Sequence, residues 1–174
     1  MYRFFIMRVM LGLGGNLGDV PGVFLRTRAK LAEVFDVLAT SRLYRSAPVG
    51  PRQPQFWNMA IQIVVDCQLR QVLDHCRRLE EQAGRDRNAE IRWGPRPLDV
   101  DLLMAEHVVH RGPDLVVPHP RLHERAFALV PAADVAPDWV HPELGRSLAE
   151  LAEQVVARDP GAVELVGPLG GERD

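Results

Sequence analysis

Phe56-Trp57-Asn58-Met59-Ala60-Ile61-Gln62-Ile63-Val64-Val65 decides the fold. Aromatic and β-branched residues fill the run, so it reads as a β-strand, with polar Asn58 near its start. Leu69, Val72, Leu73, Cys76 and Leu79 follow at helical spacing, and Gly84 supplies a stop. Upstream, Val37 to Tyr44 reads as another strand. The intervening Ala47-Pro48-Val49-Gly50-Pro51-Arg52-Gln53-Pro54 must be a loop, because proline donates no ladder hydrogen bond.

Phe4 to Leu13 reads as an opening strand, ending in Gly14-Gly15-Asn16-Leu17-Gly18-Asp19 as a structural turn before a first helix that runs to about Phe35. Arg85 to Pro97 reads as a mobile basic loop and Leu98 to Met104 as a strand. Val108 and Val109 pair with Leu115 to Val117 around Gly112-Pro113. Leu122 to Leu129 and Leu148 to Val156 look helical, and Val163 to Val166 forms a last strand. Strands arriving in both βα and ββ order predict an α+β fold with a largely antiparallel sheet.

The 174 residues suit one domain spanning 1–174. Net charge is −2, which argues against nucleic acid or an acidic membrane as partner. Met1 to Arg96 is basic, with 15 cations against 9 anions, and the remainder is acidic. Two cysteines are too few for a disulfide framework, so the chain is expected in the cytoplasm. No apolar run approaches the roughly 18 residues of a membrane span.

Chemistry concentrates at Leu98-Asp99-Val100-Asp101-Leu102-Leu103. Residues two apart in a strand share a face, so Asp99 and Asp101 project together and call for a cation. Hard oxygen ligands beside a phosphate substrate suit Mg2+. Arg85, Arg87, Arg92 and Arg96 lie just upstream, as transfer from a nucleoside triphosphate requires. A solvated strand face beside a basic turn is the alternative for each half alone. The glycine turn misses both nucleotide-binding glycine patterns, and His119 and His123 lack zinc-protease order. Phe56, Trp57, Trp93 and Phe127 offer flat faces to a heterocycle or to the core.

Five blocks in order resemble the 6-hydroxymethyl-7,8-dihydropterin pyrophosphokinase family: 14–19, 44–50, 56–58, 92–101 and 118–127, with Arg92-Trp93-Gly94-Pro95-Arg96-Pro97-Leu98-Asp99-Val100-Asp101 the most specific. The resemblance implies a ferredoxin-like α/β/α sandwich and transfer of pyrophosphate from ATP to a pterin hydroxymethyl group in folate synthesis. It implies two Mg2+ on Asp99 and Asp101, with Arg85 and Arg96 acting with them in catalysis. Glu80, Arg87, Arg96, His119 and Arg125 would bind ATP. The pterin would lie between Phe56 and Phe127, its edge met by Asn58 and by Ser46, Ala47 and Val49, with Trp93 sealing the site. The enzyme would be a monomer. Gly15 stands where serine is common in this family, Met1 to Ile6 reads as an N-terminal extension, and 167–174 as a flexible tail. Another magnesium-dependent transferase, or a ferredoxin-like RNA-binding module, are the rival readings.

Overall fold

Alternation along the quoted strand sorts its side chains onto two faces. Met59, Ile61, Ile63 and Val65 go to one and Ala60 to the other. A computed structural model of the protein describes residues 6–88 and 91–170. The elements in chain order are β1 (Met7–Gly15), α1 (Val20–Ala32), β2 (Asp36–Thr40), β3 (Leu43–Ser46), β4 (Phe56–Val65), α2 (Leu69–Gln82) and β5 (Asp99–Ala105). After them come β6 (His110–Arg111), β7 (Val116–Val117), a 3-10 turn (Leu122–Glu124), α3 (Ala126–Val135), β8 (Val140–His141), β9 (Arg146–Ser147), α4 (Leu148–Arg158) and β10 (Glu164–Gly167).

The main sheet has six strands in the order β10-β3-β4-β1-β5, with β2 also on β4, and every pairing is antiparallel. Val9, Leu11 and Leu13 join Val100 and Leu102 beneath Val20, Phe24 and Leu31 of α1 and Val72, Cys76 and Leu79 of α2. On the opposite face Met10, Ala60 and Leu103 meet Leu129 and Ala132 of α3 and Leu148, Leu151 and Val155 of α4. Two helical layers around one antiparallel sheet make a ferredoxin-like α/β/α sandwich. Burying apolar area on both faces is what stabilises a sheet of this size.

The single strand expected over Val37 to Tyr44 is two. Ser41 interrupts it: its N–H donates to Ala60 O (2.9 Å), and its Oγ accepts from Ala60 N–H (2.8 Å) while donating to Arg42 O (2.7 Å). The Asp134 carboxylate accepts the Arg42 N–H at 2.9 Å and draws the chain off the ladder. The helix expected over Leu122 to Leu129 is also divided, because Arg125 takes an extended backbone (φ −108°, ψ 98°). Beyond that break α3 runs through Pro131.

The small hairpin forms at His110–Arg111 and Val116–Val117, later than Val108–Val109. The β8–β9 hairpin was not anticipated. Gly167, expected in the tail, closes β10, and Leu169 packs against the first core. Positions 1–5 of the expected extension, 171–174 of the tail, and Ala89 and Glu90 of the arginine loop lie outside the described residues.

Candidate active site

Three adjacent strands lay out the floor of the site. Asn58 of β4 faces Gly14 of β1, and Gly14 faces Asp99 of β5, so the three form one row across the sheet. Gly12 pairs with Asp101 one row along. Residues directly opposite in antiparallel strands project to the same side. Asp99 and Asp101 therefore stand together on the face away from Val100 and Leu102, as their spacing predicts. The glycines keep that strip open: a Cβ on Gly14 would lie 3.8 Å from Asn58 Oδ1 and 3.9 Å from Asp99 Cβ. The serine usual at position 15 has no room here, because a Cβ on Gly15 would stand 2.6 Å from Pro97 O.

The two acids differ sharply in partners. Asp99 Oδ1 accepts from Arg85 Nη1 at 2.5 Å and its Oδ2 from Arg96 Nη1 at 3.0 Å. Burial alone would raise its carboxyl, but these guanidiniums outweigh burial and hold it below the usual carboxylate range. The Asp101 carboxylate has no hydrogen-bond or ion-pair partner among the described residues. Burial, and then the neighbouring Asp99 charge, push it up to about 7, against the opposing pull of Arg125.

Arg85 is not the solvated loop residue its basic surroundings suggest. Its side chain is 5% exposed and donates to both Asp99 and Glu80 Oε1, the latter at 2.6 Å. Glu80, 1% exposed on α2, also accepts the Val100 N–H at 2.8 Å through Oε1 and binds Arg87 through Oε2. Its carboxylate therefore fixes two guanidiniums and the start of β5, although burial pushes its carboxyl upward. A buried carboxylate with this many donors is a structural anchor for the arginine loop.

His119 reaches the same neighbourhood because its N–H donates to Leu103 O at 2.7 Å. Burial, then Arg125 and Arg121, lower its pKa. Its Nδ1 accepts the Arg121 N–H at 3.2 Å, which assigns the ring proton to Nε2 and makes that atom a donor. Arg96 lies over the Phe56 ring (5.9 Å) and Arg125 over Phe127 (5.7 Å), so each expected pterin-facing aromatic is paired with an expected triphosphate-facing cation. Asn58 Nδ2 donates to Ser46 Oγ at 2.9 Å and to Phe56 O at 3.3 Å, leaving Oδ1 facing Gly14.

Ala47 and Val49 are exposed on the proline loop. Trp93 is half exposed, with Arg92 stacked 4.6 Å from its ring. A groove of about 370 Å³ lined by Lys30, Glu33, His75, Arg78 and Gln82 lies on the α1–α2 side, away from the acids. Sequence reading missed Asn16 and Gln53, which link the loops around the site; their partners are distant in sequence.

Residues 10–137 match the family model for 7,8-dihydro-6-hydroxymethylpterin-pyrophosphokinase. The chain is 38% identical to a Synechocystis protein named 2-amino-4-hydroxy-6-hydroxymethyldihydropteridine pyrophosphokinase, over 93% of this chain and 83% of that one. It is 37% identical to the protein of the same name from Methylorubrum extorquens, over 91% of this chain and 98% of that one. Among solved structures, Plasmodium falciparum HPPK-DHPS with pteroate superimposes with a TM-score of 0.65 at 13% identity, covering 91% of this chain but only 44% of that one. The last likeness concerns fold alone. By the family model and these relatives, the chain belongs to the 7,8-dihydro-6-hydroxymethylpterin-pyrophosphokinase family.

Proposed function

We propose that this pyrophosphokinase of hydroxymethyldihydropterin, an enzyme of folate synthesis, uses ATP as donor and releases AMP, with Asp99 and Asp101 holding two Mg2+. The observation that carries the reading is the Asn58–Gly14–Asp99 row. It sets an amide acceptor and an acid on one open strip, with Arg85 and Arg96 at its acidic end. Asn58 Oδ1 suits the N–H donors on the edge of a pterin, and Phe56 and Phe127 supply the faces.

The acids fit magnesium by their chemistry. The Asp101 carboxylate is an oxygen donor without a partner among the described residues, beside a like charge, and each Asp99 oxygen retains lone pairs beyond the one given to a guanidinium. When bound, the metal would supply charge neutralisation between the phosphates. The hydroxymethyl oxygen attacks the β-phosphorus, the bond from that phosphorus to the α,β-bridging oxygen breaks, and AMP leaves as the hydroxyl proton is lost. Arg85, Arg87 and Arg96, Arg125, and His119 through its Nε2–H, present donors to the triphosphate, and Glu80 holds Arg85 and Arg87 for that task. Alignment of the two substrates and exclusion of water, completed by Trp93 with the backbone of Ser46, Ala47 and Val49, supply most of the rate.

The enzyme acts as a cytoplasmic monomer on small molecules, without nucleic acid or membrane. A net charge of −2 gives no global attraction to nucleic acid or an acidic membrane, and no helix among the described residues is long and apolar enough to cross a membrane. The decisive experiment incubates purified protein with ATP, Mg2+ and 6-hydroxymethyl-7,8-dihydropterin. AMP together with pterin diphosphate is the expected outcome. Release of ADP, or no pterin-dependent nucleotide product, would overturn the reading, and full turnover by Asp101→Ala would remove the metal assignment.

A further inference from the structure

Asn16 directly follows β1 with 6% of its surface exposed, and its N–H and side-chain amide run to other loops. Its backbone N–H donates to Arg96 O and its Oδ1 accepts the Arg96 N–H, both at 2.9 Å. Its Nδ2 donates to Gln53 Oε1 at 2.9 Å and to Pro54 O at 3.0 Å. Gln53 passes the contact on, its Nε2 donating to Trp93 O at 2.7 Å and to Pro51 O at 3.3 Å. Backbone partners fix both amides, because a peptide N–H only donates and a carbonyl only accepts. Neither side chain can flip without opposing like atoms.

The far end of this chain is a strained residue. Trp93 has φ +60°, a left-handed conformation that bulky L-residues rarely adopt and that surrounding contacts must enforce. Gln53 grips its carbonyl, and Gly50 (φ +103°) leaves the space, since a Cβ there would lie 3.0 Å from Trp93 Cβ. Both Gly50 and Gln53 belong to the proline loop, whereas Trp93 and Arg96 belong to the arginine loop.

We infer that Asn16 and Gln53 are a positioning relay that locks the proline loop to Trp93 and Arg96, so that pterin and triphosphate binding are energetically coupled. The inference rests on the pyrophosphokinase reading of the site. Neither amide touches the reacting atoms. Each acts through the residue it holds, as a link between two loops whose arrangement both ligands bias.

The test is a double-mutant cycle on the full chain with Asn16→Asp, Gln53→Glu and both together, with Gln53→Met as a milder partner should Asn16→Asp fold poorly. Pterin affinity is read by its own fluorescence, with and without a non-hydrolysable ATP analogue and Mg2+; kcat, KM and Tm are measured alongside. The expected result is that the analogue tightens pterin binding to wild type but not to the variants. Also expected are a fall in kcat of about 10- to 100-fold, the scale set by one or two broken buried hydrogen bonds, and a double variant no worse than the worse single. Additive losses, an unchanged coupling ratio, or a lowered Tm with kcat intact would overturn the relay. Failure of wild type to form AMP would instead sink the functional reading, and the coupling ratio, which needs no turnover, would still decide the relay.

Discussion

Asn58 and Asp99 stand in one row across the sheet, with only the hydrogen side chain of Gly14 between them. The strip joining an amide acceptor to an acid is therefore bare backbone, and its width is set by a residue with no Cβ. Gly14 has no unusual φ, so a larger residue there meets side chains and not backbone strain. We expect Gly14→Val to keep the fold while weakening pterin binding about tenfold or more, since ~1.4 kcal/mol of lost fit is a factor of ten. Gly15→Ala is the contrast: its Cβ meets the Pro97 carbonyl at 2.6 Å, so this variant should lose stability first. Thermal unfolding and pterin fluorescence titration on both variants separate the effects, and equal Tm losses would contradict the assignment.

The arginine–acid cluster gives a second expectation. Arg85 is 5% exposed at its side chain, and Glu80 and Asp99 are both carboxylate partners to it among the described residues. Glu80→Ala leaves a buried guanidinium short of one counter-charge and the Val100 N–H without its acceptor, which should cost about 3–5 kcal/mol in urea unfolding. Glu80→Gln keeps an oxygen for Val100 and should lose less. Equal stability of Glu80→Ala and wild type would show that the cluster is held by other means.

Legibility in the sequence followed the range of the interactions. β4 was readable because period two and β-branched side chains are local, and Asp99-x-Asp101 because a strand puts both on one face whatever surrounds it. The division at Ser41 was not, because the group that draws Arg42 off the ladder is Asp134, on a helix 92 residues away. Arg85 looked like one cation of a basic turn because burial depends on Glu80, which helical spacing places on α2 without revealing that it faces inward to β5. Asn16 looked like a turn former, since the same residue type serves turns and long-range amide contacts alike.

Opposite pH dependences are expected from two aspartates. Asp134, hydrogen-bonded by the Arg42 guanidinium and N–H, has its carboxyl held below the usual value, against the push of burial. Folding then favours its ionised form, so its contribution is present above the unfolded pKa and is lost as pH falls through the folded one. Asp134→Asn should lower Tm at pH 7, and the gap from wild type should close in acid; a gap independent of pH would remove the charge from the explanation.

Asp101 carries the reverse sign in the metal-free protein. Its folded pKa, pushed up to about 7, lies above the unfolded carboxylate value of about 3.9, so the native state binds the extra proton between those limits and stability falls as pH rises through them. Asp101→Asn replaces the titrating group with a neutral one of similar shape. The variant should therefore match wild type near pH 3.5 and exceed it above pH 7 by an amount on the order of a few kcal/mol, since each tenfold gain in proton affinity on folding is worth about 1.4 kcal/mol. Differential scanning calorimetry in a chelator, at pH 4 and pH 8, measures the difference directly. Because Asp99 raises the Asp101 carboxyl, Asp99→Asn should shrink the gain at pH 8; a gain of the same size in that background would mean that burial alone, and not the neighbouring acid, sets the proton affinity.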